Sequence, residues 1–299
     1  MSSGKREIGR VLVQIAREGS IVSVRALIEA HADVSVKDGD GDTALINASA
    51  QGHAECVEML LAAKSDINAT NNMNYTALMS AAFAGNHVCT RMLLDAKAAV
   101  NIRNQLYMTA LSGAIYSGSA ACTQMLIDAK ADIRTTAPNG NTQLMATATM
   151  GQAACMKILI DAKSYVNAAN KKGTTALIQA ANEGHTACVQ LLLDAKANVN
   201  ATTSNGSTAL NLAADKSRTA CARLLLNAKA DANIADEKDM TALVRATMDR
   251  NPACVQLLVD ADANVEHKLA DGRTPLMIAS KQGFHDIVDI LLKAKARKN

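Results

Sequence analysis

Cysteine recurs at Cys56, Cys89, Cys122, Cys155, Cys188, Cys221 and Cys254, one every 33 residues. Thiols in such number can pair as disulfides, ligate a metal or attack an electrophile. Their regular spacing argues against all three. If each unit of the period is one layer of a stack, neighbouring layers lie about 8–10 Å apart, whereas a disulfide needs Cα atoms about 4.4–6.8 Å apart. The row therefore reads as reduced, buried thiols that fill a core as small hydrophobes, which predicts an intracellular, cytoplasmic setting. The histidines, His31, His53, His87, His185, His267 and His285, form no i, i+4 pair around an acid. The chain also lacks the nucleophile elbow, the phosphate loop and the dinucleotide fingerprint. No catalytic residue, metal ligand or cofactor is expected, and the chain is not read as an enzyme.

Lysine forms a second periodic row: Lys64, Lys97, Lys130, Lys163, Lys196, Lys229 and Lys295, with Asp262 in the missing rung. Such a ladder could receive an acidic partner or a nucleic acid. Against that, Asp95, Asp128, Asp161, Asp194 and Asp260 stand two residues earlier and are expected to neutralise it. A lysine closing a helix also gains about 0.3–1 kcal/mol from the helix dipole. The net charge of +3, from 31 basic and 28 acidic residues, provides no strong field for a polyanion. The first 19 residues contain no uninterrupted apolar stretch of signal-peptide kind, and no run approaches 18 apolar residues, so neither secretion nor a membrane span is expected.

The elements that position these rows follow the same period. Threonine stands at 43, 76, 109, 142, 175, 208, 241 and 274, each followed two places later by leucine. A fixed interval of this size marks a stacked repeat array. Within one unit, Thr43 can cap a helix over Ala44 to Gln51, which Gly52 ends in a left-handed conformation. A second helix over Ala54 to Ala62 buries Cys56, Val57, Leu60 and Leu61. An extended turn, Ser65 to Asn68, then leads to a hairpin tip near Met73 and Asn74. Other tips carry turn dipeptides, among them Asn139-Gly140, Lys172-Gly173, Asn205-Gly206 and Asp271-Gly272. Aligning backwards starts a first unit near Arg10. The expected organisation is a lead-in over residues 1–9 and a single array of nine repeats over 10–299, terminal caps included. Aromatic residues make up 2% of the chain, so the core must be aliphatic and rich in alanine.

Gly184-His185, Cys188-Val189, Leu192-Leu193 and Ala197-Asn198-Val199-Asn200 resemble the ankyrin repeat. The resemblance covers about residues 10 to 299 and implies an all-α solenoid of helix-turn-helix-hairpin units. It also implies a protein–protein interaction module. The departures are systematic. The family's proline survives only at Pro275, and its histidine is replaced by Ile46, Met79, Ser112, Met145, Ile178, Asn211, Val244 and Met277. Asn68, Asn101, Asn167, Asn200 and Asn233 occupy the finger asparagine and are expected to bond their own turn backbone.

By the same resemblance, partner recognition belongs to the concave face, built from finger tips and from residues just before the inter-helix glycine. Met73, Tyr75, Phe83, Leu106, Met108, Tyr116 and Met150 make this set apolar in repeats three to five. Lys172, Glu183 and Lys238 make it polar further on, and Gly39, Asp40 and Asp42 make the first finger acidic. Tyrosine, phenylalanine and methionine are enriched at interface cores. The expected function is a non-catalytic adaptor or scaffold for a protein partner, with no membrane, nucleic-acid or small-molecule ligand. The alternatives are a structural subunit or assembly factor of a larger complex, and nucleic-acid binding through the lysine row.

Overall fold

The computed structural model describes residues 3–298. They form eighteen α-helices and, among the described residues, no strand. Two compact units divide the chain, one ending at Pro138 and the other beginning at Asn139. In the first, α1 (Ser3–Glu18), α3 (Ala44–Gln51), α5 (Ala77–Phe83) and α7 (Ala110–Tyr116) pack in one row. A second row holds α2 (Ile21–Glu29), α4 (Ala54–Ala62), α6 (His87–Asp95) and α8 (Ala120–Asp128). The second unit repeats the plan. Its first row is α9 (Gln143–Met150), α11 (Ala176–Glu183), α13 (Ala209–Asp215), α15 (Ala242–Met248) and α17 (Pro275–Gln282). Its second row is α10 (Ala153–Asp161), α12 (Thr186–Asp194), α14 (Thr219–Asn227), α16 (Pro252–Asp260) and α18 (His285–Lys298). Residues 3–9, expected as a lead-in, belong to α1, where Gly9 lies so close to Val36 and the Asp33 carbonyl that a Cβ would clash with both.

From α3 onward each first helix starts where the threonine period places it. Thr43 Oγ1 accepts the Ile46 N–H at 3.3 Å and Thr208 accepts from Asn211 at 3.1 Å, and the same cap opens α5, α7, α9, α11, α15 and α17. Gly52, at φ 81°, ends α3 as expected. All seven cysteines are buried and in no disulfide, one turn before Leu60, Leu93, Leu126 and their equivalents on the same helices.

Two expectations are corrected. The finger asparagines bridge to the next unit: Asn68 Oδ1 accepts the Ala99 N–H at 2.8 Å, Asn101 that of Asp132 at 2.9 Å, and Asn200 that of Asp231 at 2.9 Å. The local turn is closed instead by the side chain two residues earlier, as where Asp66 accepts the Asn68 N–H at 3.0 Å. The asparagine stands where the turn has already left its helix, so the N–H within its reach is the next repeat's. Asn200→Ala is accordingly expected to cost about 1 kcal/mol, read as a lower urea midpoint, while Asn198→Ala should disturb only its own turn.

The lysine row is the second. Lys64, Lys97, Lys130, Lys163, Lys196 and Lys229 all lie in the left-handed region, at φ between 60° and 68°, as does Asp262 at 59°. Lys295 does not belong with them, because α18 continues through it and its Nζ pairs with Glu266 at 3.1 Å. Nor do the preceding acids neutralise the row by contact. Asp128, Asp194 and Asp260 each accept from a glutamine one turn back, and Asp161 pairs with Lys157. A side chain on the last helical turn leans toward the helix N-terminus, away from the lysine that follows.

Candidate partner-binding surface

In the first unit the apolar site residues are assembled by helix packing. Phe83 closes α5 and Tyr116 closes α7 at the equivalent position. Their rings stack with centroids 4.5 Å apart and planes 16° from parallel. Gly113 makes this approach possible, since a Cβ there would stand 3.0 Å from the Phe83 backbone nitrogen and 3.3 Å from its Cβ. Tyr75 comes from the preceding finger and meets Phe83 edge to face, centroids 6.5 Å apart. Its N–H is fixed by Asn71 Oδ1 at 2.9 Å. Phe83 and Tyr75 are half-buried, whereas Tyr116 is 53% exposed.

The finger tips extend this surface. Gln105 ties two neighbouring fingers together, its N–H donating to the Met73 carbonyl at 3.2 Å and its side chain to the Asn72 carbonyl at 2.8 Å. Met73 and Leu106, both exposed, thus stand on fingers joined to each other, and Met108 is half-buried. Asn104, itself buried, shapes the second tip by accepting the N–H groups of Leu106 and Met108 at 2.9 Å each. Between those two residues stands Tyr107, which sequence reasoning passed over. It is 57% exposed at φ 61°, where Gly41, Gly140, Gly173, Gly206 and Gly272 serve the equivalent tips. A bulky residue in that region is an outlier costing roughly 1–2 kcal/mol. The remaining matching tips carry Asn74 and Asp239, types that accept this region, so a tyrosine at a turn position otherwise given to glycine, asparagine or aspartate was the signal that could have found it.

Beside this patch lies the acidic finger. Asp38 closes the turn by accepting the N–H groups of Asp40 and Asp42 at 3.0 and 2.9 Å, and it pairs with Arg17 at 3.4 Å. Asp42 accepts from Asn71 Nδ2 at 2.8 Å, so the amide that holds Tyr75 also holds this carboxylate. Burial pushes the Asp42 carboxyl above its usual range, and the neighbouring Asp38 and Asp40 add to the rise.

The remaining expected residues lie in the second unit. Met150, Lys172 and Lys238 are exposed, and Glu183 is half-buried with its carboxylate accepting from Asn182 at 2.9 Å. No hydrogen bond or ion pair joins these four to one another among the described residues. What dominates the equivalent surface here is an ion network that the sequence did not suggest. Arg245 donates through Nη1 to Asp215 at 2.7 Å and through Nη2 to Asp236. Burial alone would raise the Asp236 carboxyl. The N–H groups of Met240 and Lys238, with the Arg245 guanidinium, overcome that and hold it below its usual value. Asn211, standing where the histidine is missing, donates to the Ile234 and Met240 carbonyls at 3.1 and 3.2 Å and so takes over a bond between neighbouring repeats.

A family profile described as ankyrin repeats matches in three copies, over residues 12–104, 155–236 and 228–299. The chain belongs to the ankyrin repeat family. Its fold is also that of the human ASB11 ankyrin repeat domain, a solved structure of 24% sequence identity and TM-score 0.66; the match covers 73% of this chain and 96% of that one. No curated protein matches in sequence. Ankyrin repeats are generally protein–protein interaction modules. Among the described residues of this ankyrin repeat chain, no helix is long and apolar enough to cross a membrane, and no group of three histidine, cysteine or acidic side chains could hold a metal ion.

Proposed function

We propose that this ankyrin repeat protein is a non-catalytic adaptor or scaffold that binds a protein partner through the apolar surface of its first unit. One observation carries the reading. Met73, Leu106, Tyr107 and Tyr116 are 43%, 58%, 57% and 53% exposed; the first three stand on two joined fingers, one of which also carries Tyr75, and Tyr116 stacks on Phe83, in a chain whose aromatic content is 2%. A contiguous exposed apolar patch marks an interaction site, and rigid aromatic anchors lose little entropy on binding. Met150, Lys172, Glu183 and Lys238 are proposed as subsidiary contacts in the second unit. Seven buried cysteines outside any disulfide suit a reducing, intracellular location.

The test is retention from a lysate of the source cell on immobilised wild-type protein and on a Leu106→Ser/Tyr116→Ser variant. Both side chains are more than half exposed, so the variant should keep its helical circular dichroism. A discrete protein held by the wild type and reduced at least tenfold on the variant is the expected result. Equal retention by both forms would assign the rings to packing alone.

A further inference from the structure

The chemistry surrounding the apolar patch restricts what can occupy it. Three carboxylates, Asp38, Asp40 and Asp42, belong to one short turn. Arg17 faces Asp38 at 3.4 Å and Asp42 at 4.0 Å, and Lys37, the other cation of this finger, is held on the Thr70 carbonyl at 2.6 Å. Asp40 is exposed and makes no ion pair among the described residues. The turn is joined directly to the aromatic group, because Asn71 binds Asp42 with its amide nitrogen and the Tyr75 N–H with its amide oxygen. The Asn72 N–H, one residue on, donates to the Asp40 carbonyl at 3.1 Å, so the two fingers are fixed to each other.

Resting on the binding surface proposed above, we propose that its occupant is an arginine-bearing segment of the partner. The guanidinium is received between the carboxylates of Asp40 and Asp42 and the Tyr75 ring, and the segment's apolar side chains lie on Leu106, Tyr107 and Tyr116. Two independent features select the same group. Carboxylates take the guanidinium fork by paired hydrogen bonds, and aromatic faces attract a cation, arginine more often than lysine. Arg17 already shows the local preference, lying against two of the three acids. The same charges discriminate between partners. An acidic segment would meet the unpaired Asp40 beside two further carboxylates that share one arginine, and a single-stranded nucleic acid stacked on the rings would bring its phosphates against them.

The experiment is selection of a random twelve-residue peptide library displayed on phage against the full chain. Recovered sequences are then resynthesised with a fluorescent label and measured by polarisation. The expected consensus carries arginine within about four residues of leucine, methionine or an aromatic residue. Affinity should fall at least tenfold on Asp40→Asn/Asp42→Asn and on Leu106→Ser/Tyr116→Ser. It should also fall severalfold between about 50 and 500 mM salt, as expected of a contact between exposed charges. The finger bonds of Asp40 run through its backbone, and Asp42→Asn keeps an amide oxygen that can accept from Asn71 Nδ2; circular dichroism of each single variant confirms its fold before affinity is read. Peptides that need Leu106 and Tyr116 but carry no arginine and ignore the two asparagine changes would overturn the arginine assignment and leave the binding surface standing. Peptides indifferent to Leu106 and Tyr116, or recovery of none above the display background, would overturn both.

Discussion

Replacing Arg245 by alanine is expected to destabilise the second unit by about 3–5 kcal/mol, the cost of leaving a buried carboxylate without its partner. Asp236 is 8% exposed and Arg245 bridges it to Asp215, drawing a finger and two neighbouring first helices together. Most of the loss comes from Asp236, because the side chain of Asp215 is 35% exposed and water can replace its partner. Urea unfolding followed by circular dichroism reads the effect directly. Arg245→Ala combined with Asp236→Asn should recover much of the loss, since no buried charge then remains.

The pH dependence has a fixed sign. The folded-state carboxyl of Asp236 lies below its unfolded value, so its stabilising contribution is complete above the ordinary aspartate pKa of about 3.9 and is lost as pH falls through the folded value. In Arg245→Ala the carboxyl keeps the N–H groups of Lys238 and Met240 and a Ser207 hydroxyl at 3.5 Å against the burial that raises it. The deficit relative to wild type should therefore shrink on acidification as Asp236 takes up a proton. A deficit under 1 kcal/mol at pH 7, or one that grows as pH falls, would contradict this account.

Such a network shows where sequence reasoning stops. The threonine period places the first-helix caps from α3 onward, and for α3 and α4 the expected spans, Ala44 to Gln51 and Ala54 to Ala62, are those observed. Burial of the cysteines followed from the same period. These features were legible because each depends on local chemistry repeated at a constant interval. Arg245 was not, because its partners lie 9 and 30 residues away in chain segments that only folding brings together. The same holds for the finger asparagines, whose bonds run 31 residues forward. Phe83 and Tyr116 could be read as neighbours from their separation of one period, but Gly113, which lets their helices approach, could not be connected to them. Tyr107 was missed because φ is not written in a tyrosine; its meaning emerges only from the glycines, Asn74 and Asp239 at the matching tips.

Thiol reactivity should show the largest contrast of all, with the native protein reacting at least two orders of magnitude more slowly than the unfolded chain toward an aromatic disulfide reagent at pH 8. Two causes act together. Every cysteine is 0–1% exposed, so the reagent cannot reach sulfur until a repeat opens. Burial also pushes the Cys89, Cys188 and Cys254 thiols up to about 11. At pH 8 such a thiol is about one part in a thousand thiolate, against roughly a quarter for an ordinary thiol of pKa about 8.5. Protonation alone thus slows attack about two-hundredfold. Because the folded-state values are raised, these thiols favour the folded chain fully below about pH 8.5, and the contribution is lost as pH climbs toward 11. The position of each thiol turns this into a map of local opening. In Arg245→Ala, Cys254 shares the weakened repeat and should be labelled before Cys188, as mass spectrometry of digested protein would show. If the native thiols instead reacted at unfolded-chain rates, the repeats would be opening far more often than side chains packed at 0–1% exposure permit.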